Sequence, residues 1–162
     1  MSGSLPEFWA ASPPAKLAEV VRTLNAARAM ATAADRALID SSADALFRAS
    51  QHLIAYGSLT PGGTNARELT ELTGTWHEGW VTGDLEPRGW GAGLGYPALL
   101  WDPTSSTRVP AWLFVSPDLS EHWPALDRFE GDEYRRILAP VYHAAGLLAV
   151  GYLYEIAPRP RA

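Results

Sequence analysis

Apolar positions follow two different rhythms along the chain. From residue 15 to residue 50 there is no Gly or Pro and alanine is abundant, and Leu17, Val20, Val21 and Leu24 recur at helical spacing with Lys16, Glu19, Arg22 and Asn25 on the other side. The stripe weakens through residues 26–34, and Leu38, Asp44, Leu46 and Phe47 follow less regularly over residues 34–49. This pattern predicts two helices, or one bent helix, with Pro13 and Pro14 in a first turn that Ser12 can cap. No residue type here suggests chemistry, so the stretch reads as a packing or dimerising arm.

From His52 onward short apolar runs alternate with Gly, Pro, Asn and Asp turns, which is the punctuation of strands. Residues 52–56 predict a buried strand ended by Gly57 and Ser58. A turn at Pro61-Gly62-Gly63 and a short helix over 67–72 come next, then a strand through Trp76, His77, Gly79, Trp80 and Val81, and a glycine-rich loop over 85–96. Residues 98–101 and 109–115 predict two strands joined by the turn Asp102-Pro103-Thr104-Ser105. Ser120 is the expected cap of a short helix in which Leu119, Trp123, Leu126 and Phe129 share a face. Residues 134–142 and 147–156 flank the turn 143–146 and should pair antiparallel. The expected fold class is α+β: a small mixed β-barrel of about six strands, residues 51–157, with a helical N-terminal extension, residues 1–50, and a polar tail, residues 158–162.

Composition narrows the chemistry. With 162 residues, 47% of them hydrophobic, the chain suits one well-buried core. Its 13 Lys and Arg against 18 Asp and Glu give a net charge of −5, without the basic surplus that phosphate backbones need, so nucleic acid is not an expected partner. Zero cysteines remove disulfides, thiolate metal sites and a cysteine nucleophile. No signal-like or membrane-spanning run is present, and a cytoplasmic, membrane-free protein is expected. His52, His77, His122 and His143 are scattered without ligand spacing, so no metal is expected. The glycines between Gly89 and Gly95 lack dinucleotide spacing and there is no Walker loop, so no nucleotide cofactor is expected either. Ser58 follows Gly57 at a strand end, but Tyr56 stands where a nucleophile elbow has its first glycine.

Two local patterns remain. Tyr56-Gly57-Ser58-Leu59 ends an apolar strand, where a glycine frees the backbone to turn with its N–H groups pointing out of the sheet. Such a turn can hold a carboxylate or a developing oxyanion, although a plain strand-to-turn junction has the same sequence. The second pattern is Leu126-Asp127-Arg128-Phe129-Glu130-Gly131, followed by Tyr134 and Arg136. On its own it reads equally as a helix C-terminus closed by Gly131, with carboxylates facing water and the arginines.

In their order and separation the two patterns resemble the gamma-glutamylcyclotransferase superfamily, which pairs a YGSL-type loop after its first strand with an LDxFEGxxYxR segment. Gly95-Tyr96-Pro97-Ala98 is similar to the family's loop-to-strand segment. The resemblance covers residues 52–156 and leaves residues 1–50 outside. It implies a small closed mixed barrel with the site at its mouth, and cyclisation of a gamma-glutamyl compound to 5-oxoproline with release of an amine. It also implies Glu130 as general acid/base, the backbone of Gly57, Ser58 and Leu59 as donors, and Tyr134 as a substrate contact. Tyr56, Tyr96 and Tyr154 complete the expected substrate-binding set, with Trp90 beside Tyr96 as a wall and Tyr152 sharing the strand face of Tyr154. Partial burial near Phe129 and Trp123 is expected to raise the Glu130 pKa. Asp127, Asp132 and Glu133 are read as solvated or structural. The expected partner is a small gamma-glutamyl molecule; an amidohydrolase, a non-catalytic binding module and a homodimer stay open.

Overall fold

The structure, a computed structural model, describes residues 14–157. Helix α1 (Pro14–Met30) and helix α2 (Ala33–Phe47) are separate, parted at Ala31 and Thr32. Thr32 caps α2 by accepting a hydrogen bond from the Asp35 amide at 3.2 Å. Of the expected two helices or one bent one, two are found; Ser12 and Pro13 lie outside the described residues.

Six strands follow: β1 (His52–Ala55), β2 (Thr75–Glu86), β3 (Ala98–Trp101), β4 (Arg108–Val115), β5 (Tyr134–His143) and β6 (Gly146–Ile156), with α3 (Trp123–Glu130) between β4 and β5. The sheet order is β3-β2-β4-β1-β6-β5, and β2 meets β5 at Trp80 and Tyr142. Five strands thus close a barrel, and β3 is added on the far half of β2. The β1–β6 pair is parallel and the others are antiparallel, so the barrel is mixed. Closure depends on Gly79, where an added Cβ would lie 2.5 Å from the Tyr142 carbonyl oxygen; only glycine lets β2 and β5 approach there.

Period-two alternation sorts the strands' side chains into two cores. Ile54, Val81, Leu113, Ala139, Val141 and Leu153 fill one cluster. Leu53, Leu138, Val150 and Tyr152 point to the other side of the wall and meet Leu17 and Val21 of α1, Phe47 of α2, and Trp123 and Leu126 of α3. The predicted stripe of α1 is the packed face: Leu17 and Val21 are buried, with Val20 and Leu24 partly so. Each such side chain contributes about 1.5–3 kcal/mol by leaving water.

Where strand pairing runs out, side chains replace it. The Asn25 side chain of α1 donates to the Leu138 carbonyl and accepts from the Leu138 amide, both at 2.8 Å, and Arg28 donates to the Arg136 carbonyl at 2.7 Å. Helix α1 thereby covers the edge of β5 that β2 leaves open. The free edge of β3 is closed in the same way, its Leu99 and Trp101 amides donating to the Tyr56 hydroxyl and to a Glu155 carboxylate oxygen, each at 3.1 Å.

Several local expectations change. Ser120 caps nothing: Ser116 caps a single-turn segment at Pro117–Glu121, accepting from the Asp118 amide, and α3 starts one residue after His122 without a side-chain cap. The Ser120 hydroxyl lies 3.2 Å from that of Ser50 instead. Strand β2 continues to Glu86, into the expected loop, because β3 pairs with Gly83 to Glu86. The helix expected over 67–72 is one tight turn at Ala66–Leu69. The C-terminal hairpin pairs as expected, down to His143 opposite Gly146.

Candidate active site

The site is built where β1 ends. Beyond Ala55 the chain leaves the sheet and folds back through residues 57–65. Gly57 O accepts from the Thr60 amide at 3.1 Å and the Thr60 hydroxyl at 2.7 Å, and Ser58 O accepts from the Asn65 amide at 2.9 Å. Gly63 sits so close beneath that a Cβ would be 2.4 Å from Ser58 O. The carbonyls of Gly57 and Ser58 are thus engaged inside the loop, whereas the amides of Gly57, Ser58 and Leu59 are not. They donate to no acceptor among the described residues. Successive unengaged N–H groups of this kind form an anion-holding concavity. The Leu59 side chain is buried and anchors the loop in the core.

The opposite wall is the last turn of α3. Helix α3 is short and ends at Glu130, with the Gly131 amide closing onto the Asp127 carbonyl at 3.1 Å. Glu130 O accepts from the indole Nε1 of Trp90 at 2.9 Å. The Trp90 ring stands edge-on to Phe129 and Tyr134, at 5.4 and 6.3 Å between centroids. Burial pushes the Glu130 carboxyl up to about 7, and the negative charge of Asp127 adds to the effect. A carboxyl with that pKa takes and gives protons readily near neutrality. Of the two aromatic residues expected to shelter it, Phe129 is in the Trp90 cluster. Trp123 instead packs on Tyr152 and Tyr154.

One cavity, open on one side, is lined by all eight residues singled out from the sequence: Tyr56, Gly57, Ser58, Leu59, Tyr96, Glu130, Tyr134 and Tyr154. Trp90 lines it too, and Gly91, Pro97 and the backbone of β1 complete it. The tyrosines differ in what their hydroxyls do. That of Tyr56 is spent, donating to Tyr154 O at 2.5 Å while accepting from Leu99 N, and burial raises its pKa. That of Tyr154 donates to Asp127 Oδ1 at 2.7 Å. Tyr96 accepts from the Thr64 hydroxyl and amide, at 2.7 and 3.3 Å, and so ties the loop after β2 to the loop after β1. Tyr152 belongs to the outer core and bonds Asp40 at 2.7 Å.

Sequence reasoning set Asp127 aside as solvated or structural. It accepts from Arg136 at 3.0 and 3.2 Å as well as from Tyr154, one helical turn before Glu130. Its position three residues ahead of Glu130 on a helix was the available signal. Among the described residues the cavity wall holds one carboxylate and no Lys or Arg side chain. Among the described residues no group of three His, Asp or Glu side chains is placed to hold a metal ion, and no helix is long and apolar enough to cross a membrane.

Comparison with known proteins bears on the family and the fold. The family described as "Gamma-glutamyl cyclotransferase, AIG2-like" matches residues 53–161. The crystal structure of YkqA from Bacillus subtilis is similar, with a TM-score of 0.50 and 17% identity over 65% of this chain and 35% of that one. The chain thus spans about a third of the length of YkqA. The structure of uncharacterised protein PH0828 from Pyrococcus horikoshii gives a TM-score of 0.45 and 18% identity, over 68% of this chain and 80% of that one. No curated protein matches.

Proposed function

Because the chain belongs to the AIG2-like gamma-glutamyl cyclotransferase family, we propose that it cyclises a gamma-glutamyl compound to 5-oxoproline and releases an amine, with Glu130 as general acid/base. The observation that carries this reading is the one carboxyl that the described residues bring to the cavity, sheltered and held near a pKa of 7, beside three main-chain amides without an acceptor among those residues.

The substrate brings its own nucleophile. Its α-amine lies within five-membered-ring reach of the side-chain amide carbon, so no protein serine or cysteine is required. The α-nitrogen bonds to that carbon, the carbon–nitrogen bond to the departing amine breaks, and two protons leave the α-ammonium and reach the departing nitrogen. Glu130 carries them, accepting as a carboxylate and donating as the acid. No cofactor enters this balance.

The amides of Gly57, Ser58 and Leu59 receive either the α-carboxylate or the oxyanion of the tetrahedral intermediate; one such donor is typically worth about 10²–10³ in rate. Holding the glutamyl chain folded supplies more, since orientation alone reaches roughly 7–11 kcal/mol at best. The rings of Tyr134, Tyr96, Tyr154 and Trp90 provide that hold as walls. A cytoplasmic location belongs to the same reading.

The test is a screen of gamma-glutamyl peptides, amino acids, polyamines and gamma-glutamyl-lysine for 5-oxoproline release, with wild type and Glu130→Gln side by side. Release by wild type and loss in the variant supports the reading. No release from any member contradicts it, and retained ligand affinity in that case would make the protein a binding module.

A further inference from the structure

Asp127 lines a groove between α1, β3 and β5 and not the cavity, yet a hydrogen bond from Tyr154 joins it to the cavity wall. Its Oδ1 takes hydrogen bonds from both Tyr154 Oη and Arg136 Nε, and its Oδ2 takes one from the second guanidinium arm. Arg136 is fixed more firmly than its partner. Its side chain is 11% exposed against 44% for Asp127, its guanidinium lies 4.7 and 4.6 Å from the ring centres of Trp123 and Tyr152, and Arg28 clamps its carbonyl. A surface pair this well held differs from a mobile one, because neither charge can swing away when its neighbour titrates.

We propose that Asp127 and Arg136 are a positioning pair for Glu130: the Asp127 charge, one helical turn earlier, opposes the charge Glu130 gains on losing its proton, and Arg136 sets how much of that opposition Glu130 feels. The inference rests on the reading of Glu130 as the acid/base. Other groups face this assembly. Tyr56, just past β1, and Tyr134 and Tyr154, on β5 and β6, line the cavity with Glu130. Arg28, Asp132 and Arg135 line the groove beside Asp127, and Arg128 follows it on α3. Arg28 and Arg135 are already paired with Asp40 and Glu155, which leaves Arg136 as the cation bound to Asp127.

Opposite shifts follow from the two halves of the pair. Asp127→Asn keeps an acceptor for Tyr154 but removes a like charge, so the Glu130 titration moves down, by about half a unit to one unit. Arg136→Met keeps much of the apolar stem against Trp123 and Tyr152 but unmasks Asp127, so the titration moves up by a similar amount, about half a unit or more.

The experiment is carbon-13 NMR of the full chain labelled at glutamate Cδ, titrated for wild type and both variants, with the Glu130 resonance identified by its loss in Glu130→Gln. In parallel, the pH dependence of 5-oxoproline release is recorded. Shifts of opposite sign in the two variants, followed by the acidic limb of kcat/KM, are expected. An unmoved Glu130 resonance in both variants, or activity reduced evenly at every pH, overturns the proposal and leaves Asp127 a latch for Tyr154. Should one variant fail to fold, the sign of the shift in the other decides. If the resonance moves as stated but no compound is turned over, the positioning inference stands and the cyclotransferase reading falls.

Discussion

The indole nitrogen of Trp90 is bonded to the main-chain carbonyl of Glu130 at 2.9 Å. A helix leaves its last carbonyls without partners, and here the loop between β2 and β3 supplies one. The residue proposed to move protons is therefore fastened, through its own backbone, to the loop that walls the cavity. Tyr96 fastens the other end of that loop to Thr64.

Trp90→Phe keeps the edge-on contacts with Phe129 and Tyr134 but deletes this donor. The lost hydrogen bond is worth about 1 kcal/mol, so kcat/KM is expected to fall roughly 5-fold, chiefly through KM. Steady-state kinetics on the best gamma-glutamyl substrate checks this; an unchanged KM would mean that the loop holds its place without the bond.

Tyr56→Phe separates two roles for a residue named from the sequence as substrate-binding. Its hydroxyl already bridges Tyr154 O and Leu99 N. The variant leaves a part-buried amide unpaired and should cost about 1–3 kcal/mol of stability in urea denaturation, with kcat/KM within roughly 10-fold of wild type. A kcat/KM loss of several hundredfold in a variant that still folds would instead place that hydroxyl on the substrate.

Which parts of this were readable in advance follows from the range of the interactions. The two helices, the C-terminal hairpin and both motifs are set by local pattern, and they are found where expected. The length of β2 was hidden because its second half is held by β3, and barrel closure rests on Gly79 meeting Tyr142 across the chain. The family resemblance implied that Glu130, Tyr134 and the loop after β1 share a site, and loop position and strand alternation added Tyr96 and Tyr154; the hydroxyl partners of Tyr56 and Tyr154 were not readable, since no spacing rule encodes a bond to a distant carbonyl or carboxylate. The bonds of Asp127, read from the sequence as solvated or structural, were hidden for the same reason: its partners Arg136 and Tyr154 sit on other elements.

The pKa of Glu130 also predicts a stability effect. Burial raises it from the ordinary carboxylate range to about 7. The folded state thus holds the proton more tightly than the unfolded chain, and stability is highest below the unfolded pKa and falls as pH rises through about 7. Glu130→Gln removes the titration, so at pH 8 the variant should exceed wild type by about 1–3 kcal/mol, with a smaller difference at pH 5. Denaturant melts at both pH values check this; a variant less stable than wild type at pH 8 would show that the carboxylate is well accommodated when charged.

Asn25 links the N-terminal helices to the barrel by copying a strand's hydrogen bonds to Leu138. Asn25→Ala strips partners from both groups of Leu138 and should cost about 2–4 kcal/mol, with little change in kcat at temperatures where the variant is folded. Thermal unfolding and turnover together test it. An unaltered melting temperature would mean that the open edge of β5 needs no cover.

The central claim is intramolecular attack assisted by one carboxyl, and mass spectrometry of the product formed in ¹⁸O-labelled water tests it most directly. Wild type should yield 5-oxoproline without the label, and Glu130→Gln should reduce its rate by at least about 10³. Free glutamate carrying ¹⁸O, or unlabelled 5-oxoproline formed equally fast by the variant, would contradict the account.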